Sequence, residues 1–328
     1  MTAAMSPYAR AGSRRSARRG TRTPGFVRPQ DHWFGVMMCL LMVLCAVPHS
    51  AEARERSTAK PVIAVTFDDI PAHGPLPAGV SRVDVIHEIT AALAAANVPA
   101  FGFLNGGFGL DDPNAPAAIA AWRQAGLPLG NHSYSHGNLE TTGVDAFTAD
   151  VIRNEAPLSA AAGVRADWHW FRYPFLSEGS TPALRDPIRA VLHARGYRGA
   201  AVTMGFGDYL WNPPYAACAA KADAAGIARL EQSYLADARA AALGARAKAK
   251  AQVGRDIPYV LLMHVGAFDA RMLPRLIALY RSMGFGFVTL QAAEADPFYA
   301  AAIDLSRSGP MPGLASPPLP GPPAGLCS

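Results

Sequence analysis

Two short stretches of this 328-residue sequence combine side chains that could bind a cation and activate water. Asp68 and Asp69 end the run Thr66-Phe67-Asp68-Asp69, and His132 and His136 bracket Ser133-Tyr134-Ser135. Ionised neighbours at the end of an apolar strand are costly unless a cation or hydrogen bonds compensate. Taken alone, such a pair is equally at home capping a loop or a helix. Histidines at i and i+4 meet on one face if the chain enters a helical turn, a spacing that suits two imidazoles on one metal. Two loop histidines with no common ligand would show the same spacing. One carboxylate plus two imidazoles with open positions describes a catalytic zinc site, and the same set describes a non-haem iron centre.

Further polar residues follow other apolar runs. Arg172, in Arg172-Tyr173-Pro174-Phe175, could hold a carboxylate through forked hydrogen bonds. His264 ends Leu261-Leu262-Met263-His264, and Asp208 and Trp211 lie in Gly207-Asp208-Tyr209-Leu210-Trp211. Singly, each has a plain structural explanation: a strand-end arginine, a satisfied core histidine, a turn carboxylate and a packed aromatic. His73, in Pro71-Ala72-His73-Gly74, reads as a loop residue.

These residues need elements to position them. Val62 to Phe67 forms a strand-like run, and Arg82 to Asn97 has helical spacing through Val85, Ile89 and Leu93. Further strands are expected near 99–104, 128–133, 168–173, 199–204, 258–264 and 285–290, with helices near 115–125, 145–162, 182–195, 226–252 and 271–283. Alternating strands and helices argue for parallel βαβ units, in a barrel or an open doubly wound sheet. Polar residues after several different strands favour the barrel. The expected fold is therefore α/β, a distorted, seven-stranded (β/α) barrel in one catalytic domain over 61–298. A Pro/Gly-rich C-terminal tail is expected over 299–328, extended or disordered from Ser306, and the Ala/Lys/Arg-rich stretch 218–252 is expected to be a long amphipathic helix on the solvated barrel exterior.

The formal charge of +5 is unevenly placed. Arg10, Arg14, Arg15, Arg18, Arg19, Arg22 and Arg28 precede an apolar run, Phe34 to Val47, that is shorter than the ~20 residues a membrane span needs. A basic region, a short apolar core and Ala51-Glu52-Ala53 fit a signal peptide over 1–53 cleaved near Ala53, followed by a linker at 54–60. The expected location is the periplasm or the exterior, with membrane contact only through that signal; an uncleaved anchor is the alternative. Removal of the arginines with the signal argues against a nucleic-acid partner. Cys39 and Cys45 would be lost too, leaving Cys218 and Cys327 either paired in an oxidising compartment or as two free thiols.

In order, Thr-Phe-Asp-Asp, His-Ser-x-x-His, Arg-x-Pro-Phe, Asp with a nearby Trp, and Leu-x-His resemble the motifs of the polysaccharide deacetylase family (carbohydrate esterase family 4, NodB homology domain). The resemblance implies a metal-dependent hydrolase removing N-acetyl or O-acetyl groups from a glycan such as chitooligosaccharide or peptidoglycan. It assigns Asp68 as base, Asp69, His132 and His136 as ligands of a divalent metal (zinc first, cobalt or nickel as alternatives), and Arg172 as the tether of the base. The N–H of Phe175 would serve the oxyanion, Asp208 and Trp211 the substrate groove, Leu262 the acetate pocket, and His264 would be the general acid. Relatives with this motif set act on small amides or imides, and a non-catalytic glycan-binding protein is a further alternative.

Overall fold

The computed structural model describes residues 60–328 apart from 108, 110–111, 164–165, 315–318 and 328. The expected signal peptide, and all of the linker but Lys60, lie outside the described residues. Among the described residues no helix is long and apolar enough to cross a membrane.

The sheet is built around β1 (Val62–Ile70), whose residues from Ile63 onward are all buried. A strand buried on both faces is the mark of a parallel sheet covered by helices. β2 (Ala100–Leu104), β3 (Leu129–Asn131), β4 (Trp170–Phe171), β5 (Arg198–Gly199), β6 (Tyr259–His264) and β7 (Gly286–Phe287) complete it. The order is β5-β4-β3-β2-β1-β6, with β7 pairing β1, and every pairing is parallel. The chain beyond β5 bridges the two ends of this path. Ala200 N–H donates to the Phe171 carbonyl of β4, and Met204 N–H to the Val260 carbonyl of β6. Leu262 N–H donates back to the Met204 carbonyl. The result is the expected distorted (β/α) barrel.

Helices surround the sheet. α1 (Arg82–Ala96) starts at a capping box between Ser81 and Asp84, ends at Asn97 in the left-handed region, and buries Val85, Ile86, Ile89 and Leu93. α2 (Ala115–Gln124) follows β2. The single helix expected over 145–162 is instead two, α4 (Val144–Arg153) and α5 (Glu155–Ala162), preceded by the one-turn α3 (Leu139–Thr142). The break falls at Asn154, whose side chain is drawn inward to bond Gly106 N–H and the Leu104 carbonyl. α6 (Pro182–Ala194), α7 (Asn212–Ala220), α8 (Ala224–Val253), α9 (Ala267–Ser282), α10 (Leu290–Glu294) and α11 (Ala300–Ile303) follow. The long α8 is solvated on one face only. Leu230, Tyr234, Ala238, Ala241, Ala242, Ala245 and Ala249 bury the other.

The expected boundary at 298 does not separate a tail from the body. Tyr299 and Ala302 are buried, and Tyr299 Oη donates to the Pro258 carbonyl. Beyond α11 the chain is extended but fastened. Met311 N–H donates to Glu178, Gly321 N–H to Asp237, and Cys327 forms a disulfide with buried Cys218. The bond closes a loop of 109 residues, which restricts the unfolded chain. Cys327→Ser should therefore lower the unfolding free energy by about 2–4 kcal/mol in urea titrations. Wild type measured with a reducing agent should show the same loss.

Candidate active site

The polar residues singled out in the sequence gather at the C-terminal ends of the strands, where barrel sites are built. In a regular strand Asp68 and Asp69 would face opposite ways. Asp69 instead has φ of 63°, and the register between β1 and β2 shifts between Phe67 and Ile70. This irregularity turns both carboxylates toward one site.

Asp68 is held by Arg172, which is fully buried. Arg172 Nη1 lies 3.0 Å from Asp68 Oδ1 and 3.3 Å from Oδ2. Its Nε donates to the Ala200 carbonyl and its Nη2 to Thr66 Oγ1, while Thr66 donates to the Leu261 carbonyl. The Phe103 ring lies beneath the guanidinium at 4.6 Å. A buried cation so completely engaged fixes the orientation of the Asp68 carboxylate.

His132 and His136 share one site, their ring centroids 5.0 Å apart. The means differs from the expected helical turn. Residues 132–136 form a loop in which Ser133 and His136 have φ of 60° and 56°. Surrounding side chains hold this loop. Asn105 donates to the His132 and Ser133 carbonyls, Asn131 Oδ1 accepts from Ser133 N–H, and Asp150 accepts from the N–H groups of Tyr134 and Ser135. Asn154 donates to Asn131 Oδ1. His132 Nδ1 lies 2.7 Å from the Arg172 carbonyl, which only accepts, so Nδ1 donates there and Nε2 is the nitrogen left to face Asp69. Asn105, Asp150 and Asn154 escaped the sequence reading because their role is to position a loop from a distance.

Asp69 Oδ1 is buried and has no hydrogen-bond partner among the described residues. It lies 3.5 Å from His132 Nε2 and 3.2 Å from His136 Nε2. A buried carboxylate oxygen without a donor is a cost the fold does not leave uncompensated. The donor set of one carboxylate and two imidazoles fits a divalent metal such as zinc, with ligand atoms all within 4.8 Å of one another. Protonation states agree. Burial pushes Asp69 up, but the His73 hydrogen bond and the charge of neighbouring histidines hold it well below the usual carboxylate range. Burial pushes His136 down to about 4 despite Asp69, so its imidazole is neutral at pH 7, as a ligand must be.

His73, which reads as a loop residue in sequence, has its Nδ1 2.6 Å from Asp69 Oδ2. Its ring also packs against His264, with centroids 4.7 Å apart.

Asp208 and Trp211 require correction. They open and close a 3₁₀ turn, Asp208–Trp211, in which positions i and i+3 share a face, and both are buried. Trp211 is enclosed by Phe206 and Tyr234, donates to Ser233 Oγ, and lines no groove. Asp208 is buried behind His264. Its Oδ2 accepts from His264 N–H at 2.7 Å, and its Oδ1 lies 3.0 Å from His264 Nδ1. Burial alone would lower the His264 pKa, but Asp208, then Asp69 and Asp68, push it up to about 9. The exposed members of that turn are Tyr209 and Leu210, and Tyr209 packs 5.0 Å from the His264 ring. On the other side Phe175, 62% exposed, lies 4.6 Å from the His136 ring in a turn where it adopts φ of 57°. Leu262, half-buried, is two residues before His264 on β6 and so shares its face.

Residues 55–200 match the polysaccharide deacetylase family model. That region belongs to the polysaccharide deacetylase family. The match takes in Asp68, Asp69, His132, His136 and Arg172 and stops before Asp208 and His264. No curated protein matches the chain in sequence. Among solved structures, similar chains include a family 4 carbohydrate esterase from Streptomyces lividans in complex with acetate, at 22% identity, covering 72% of this chain and 97% of that one, with a TM-score of 0.44. The peptidoglycan deacetylase PdaC from Bacillus subtilis is 18% identical over 72% of this chain and 91% of its own, at 0.46. A CE4 family pseudoenzyme from Bacillus anthracis is 16% identical over 71% and 65%, at 0.48.

Asp69→Ala and His132→Ala should each abolish tight binding of a divalent cation, measured by equilibrium dialysis of the metal-stripped protein. Wild-type affinity in either variant would break the proposed ligand set.

Proposed function

We propose that this chain is an exported, metal-dependent deacetylase that hydrolyses acetyl groups on a glycan. The observation that carries the proposal is the Asp69 carboxylate, whose buried Oδ1, without a hydrogen-bond partner among the described residues, faces two imidazoles beside an arginine-held Asp68. A divalent cation held by Asp69, His132 and His136 would polarise the acetyl carbonyl and acidify water.

The chain's own groups supply the rest. Asp68, held in place by Arg172, accepts the proton of the attacking water. The N–H of Phe175 is assigned to the developing oxyanion. His264, held protonated by Asp208, gives its proton to the amine nitrogen as the C–N bond breaks. Without that proton the departing group would be an amide anion. The products are acetate and a free amine on the sugar.

Phe175 and Tyr209, exposed beside His136 and His264, support a glycan as substrate, since exposed apolar rings flanking a site suit the faces of sugar rings. Export is supported by the Cys218–Cys327 disulfide, which belongs to an oxidising compartment, and by the basic and apolar pattern before Ala53.

Acetate release from chitooligosaccharides, peptidoglycan and acetylated xylan tests the proposal; turnover of small amides alone would remove the glycan from it. Asp68→Asn should keep the metal and lose about 10²–10⁴-fold in turnover. A raised histidine pKa keeps the acid charged below it, so the rate should fall as pH rises through about 9. In Asp208→Asn that falling limb should move to lower pH, read from the pH profile of kcat/KM.

A further inference from the structure

We infer that His73 is a positioning residue for the metal centre, setting the direction of the Asp69 carboxylate. This rests on the proposed metal site. The two oxygens of Asp69 have separate surroundings. Oδ1 faces His132 and His136 and has no hydrogen bond among the described residues, whereas Oδ2 lies 2.6 Å from His73 Nδ1. An ionised carboxylate can only accept, so Nδ1 is the protonated nitrogen of His73. Occupying Oδ2 in this way leaves Oδ1 as the oxygen offered to a cation.

The donor is itself fixed. Arg82, the first residue of α1, donates from Nη1 to the His73 carbonyl at 2.9 Å and from Nη2 to the Gly74 carbonyl at 2.8 Å. Ala72 N–H donates to the Asp69 carbonyl at 2.7 Å, closing the turn between ligand and donor. Gly74 has φ of 66°, and a Cβ there would meet Asn212 Cβ at 3.1 Å, so the backbone beside His73 is shaped to lie close to its neighbour. The ring is packed between Tyr209 at 5.6 Å and His264 at 4.7 Å. A side chain anchored through its backbone, packed on its ring and bonded at one nitrogen holds its partner in one rotamer. Partners of this kind behind a ligating group contribute about 10–100-fold to metal affinity.

The test measures zinc affinity of the metal-stripped full chain by competition with a chromophoric chelator. Far-ultraviolet circular dichroism and the apo-protein Tm report the fold. His73→Ala should weaken zinc binding about 10–100-fold with an unchanged apo Tm. His73→Asn, whose amide places a donor near the position of Nδ1, should recover most of that loss. Wild-type affinity in His73→Ala, with binding abolished in Asp69→Ala, would overturn the role of His73 and leave the metal site standing. Equal weakening in His73→Ala and His73→Asn would also overturn it, since the donor would then not matter. If wild type binds no zinc, or Asp69→Ala binds it unchanged, the metal site itself falls and this role with it.

Discussion

Neighbouring side chains on a β-strand point to opposite faces, and this site needs two neighbouring carboxylates on one face. The left-handed backbone at Asp69 resolves the conflict. Asp68 then meets Arg172 while Asp69 meets the two imidazoles, so one charged group can be held as a base and the other offered as a ligand. The remaining design follows from keeping two adjacent negative charges in a buried place. Arg172 answers one, and His73 with the His132–His136 loop answers the other.

A second pairing of charge sits on the opposite side of the site. Asp208 is buried behind His264 and bonds both its backbone and its ring, so the imidazole is oriented and charged by one residue. Burial of Asp208 would be costly alone, but a hydrogen-bonded imidazolium neighbour offsets it. The polar groups thus divide into an acceptor side at Asp68 and a donor side at His264, each held by an oppositely charged partner buried behind it.

Much of this was legible in the sequence. Apolar runs ending in polar residues located β1, β3, β4 and β6, and the His132–His136 spacing identified two imidazoles that do share a site. The sequence was silent where local conformation or distant support decides. Spacing suggested a helical turn, but positive φ at Ser133 and His136 makes a loop, and the loop is held by Asn105, Asp150 and Asn154 from elsewhere in the chain. The family resemblance assigned Asp208 and Trp211 to the substrate groove, whereas the three-residue period of the 3₁₀ turn buries both and exposes Tyr209 and Leu210. His73 looked like loop filler because its partner, four residues earlier, lies at the end of a strand.

The amide-braced loop around His132 has a thermodynamic consequence. Its backbone is tied by Asn105 and Asn131, and Asn131 in turn by Asn154. A backbone tied in this way has already given up its conformational freedom in the folded chain, so a ligand taken by its imidazoles has little further ordering to impose. Under the proposed function, the affinity for a cation would then be set by the chemistry of its donors and the dehydration of the ion.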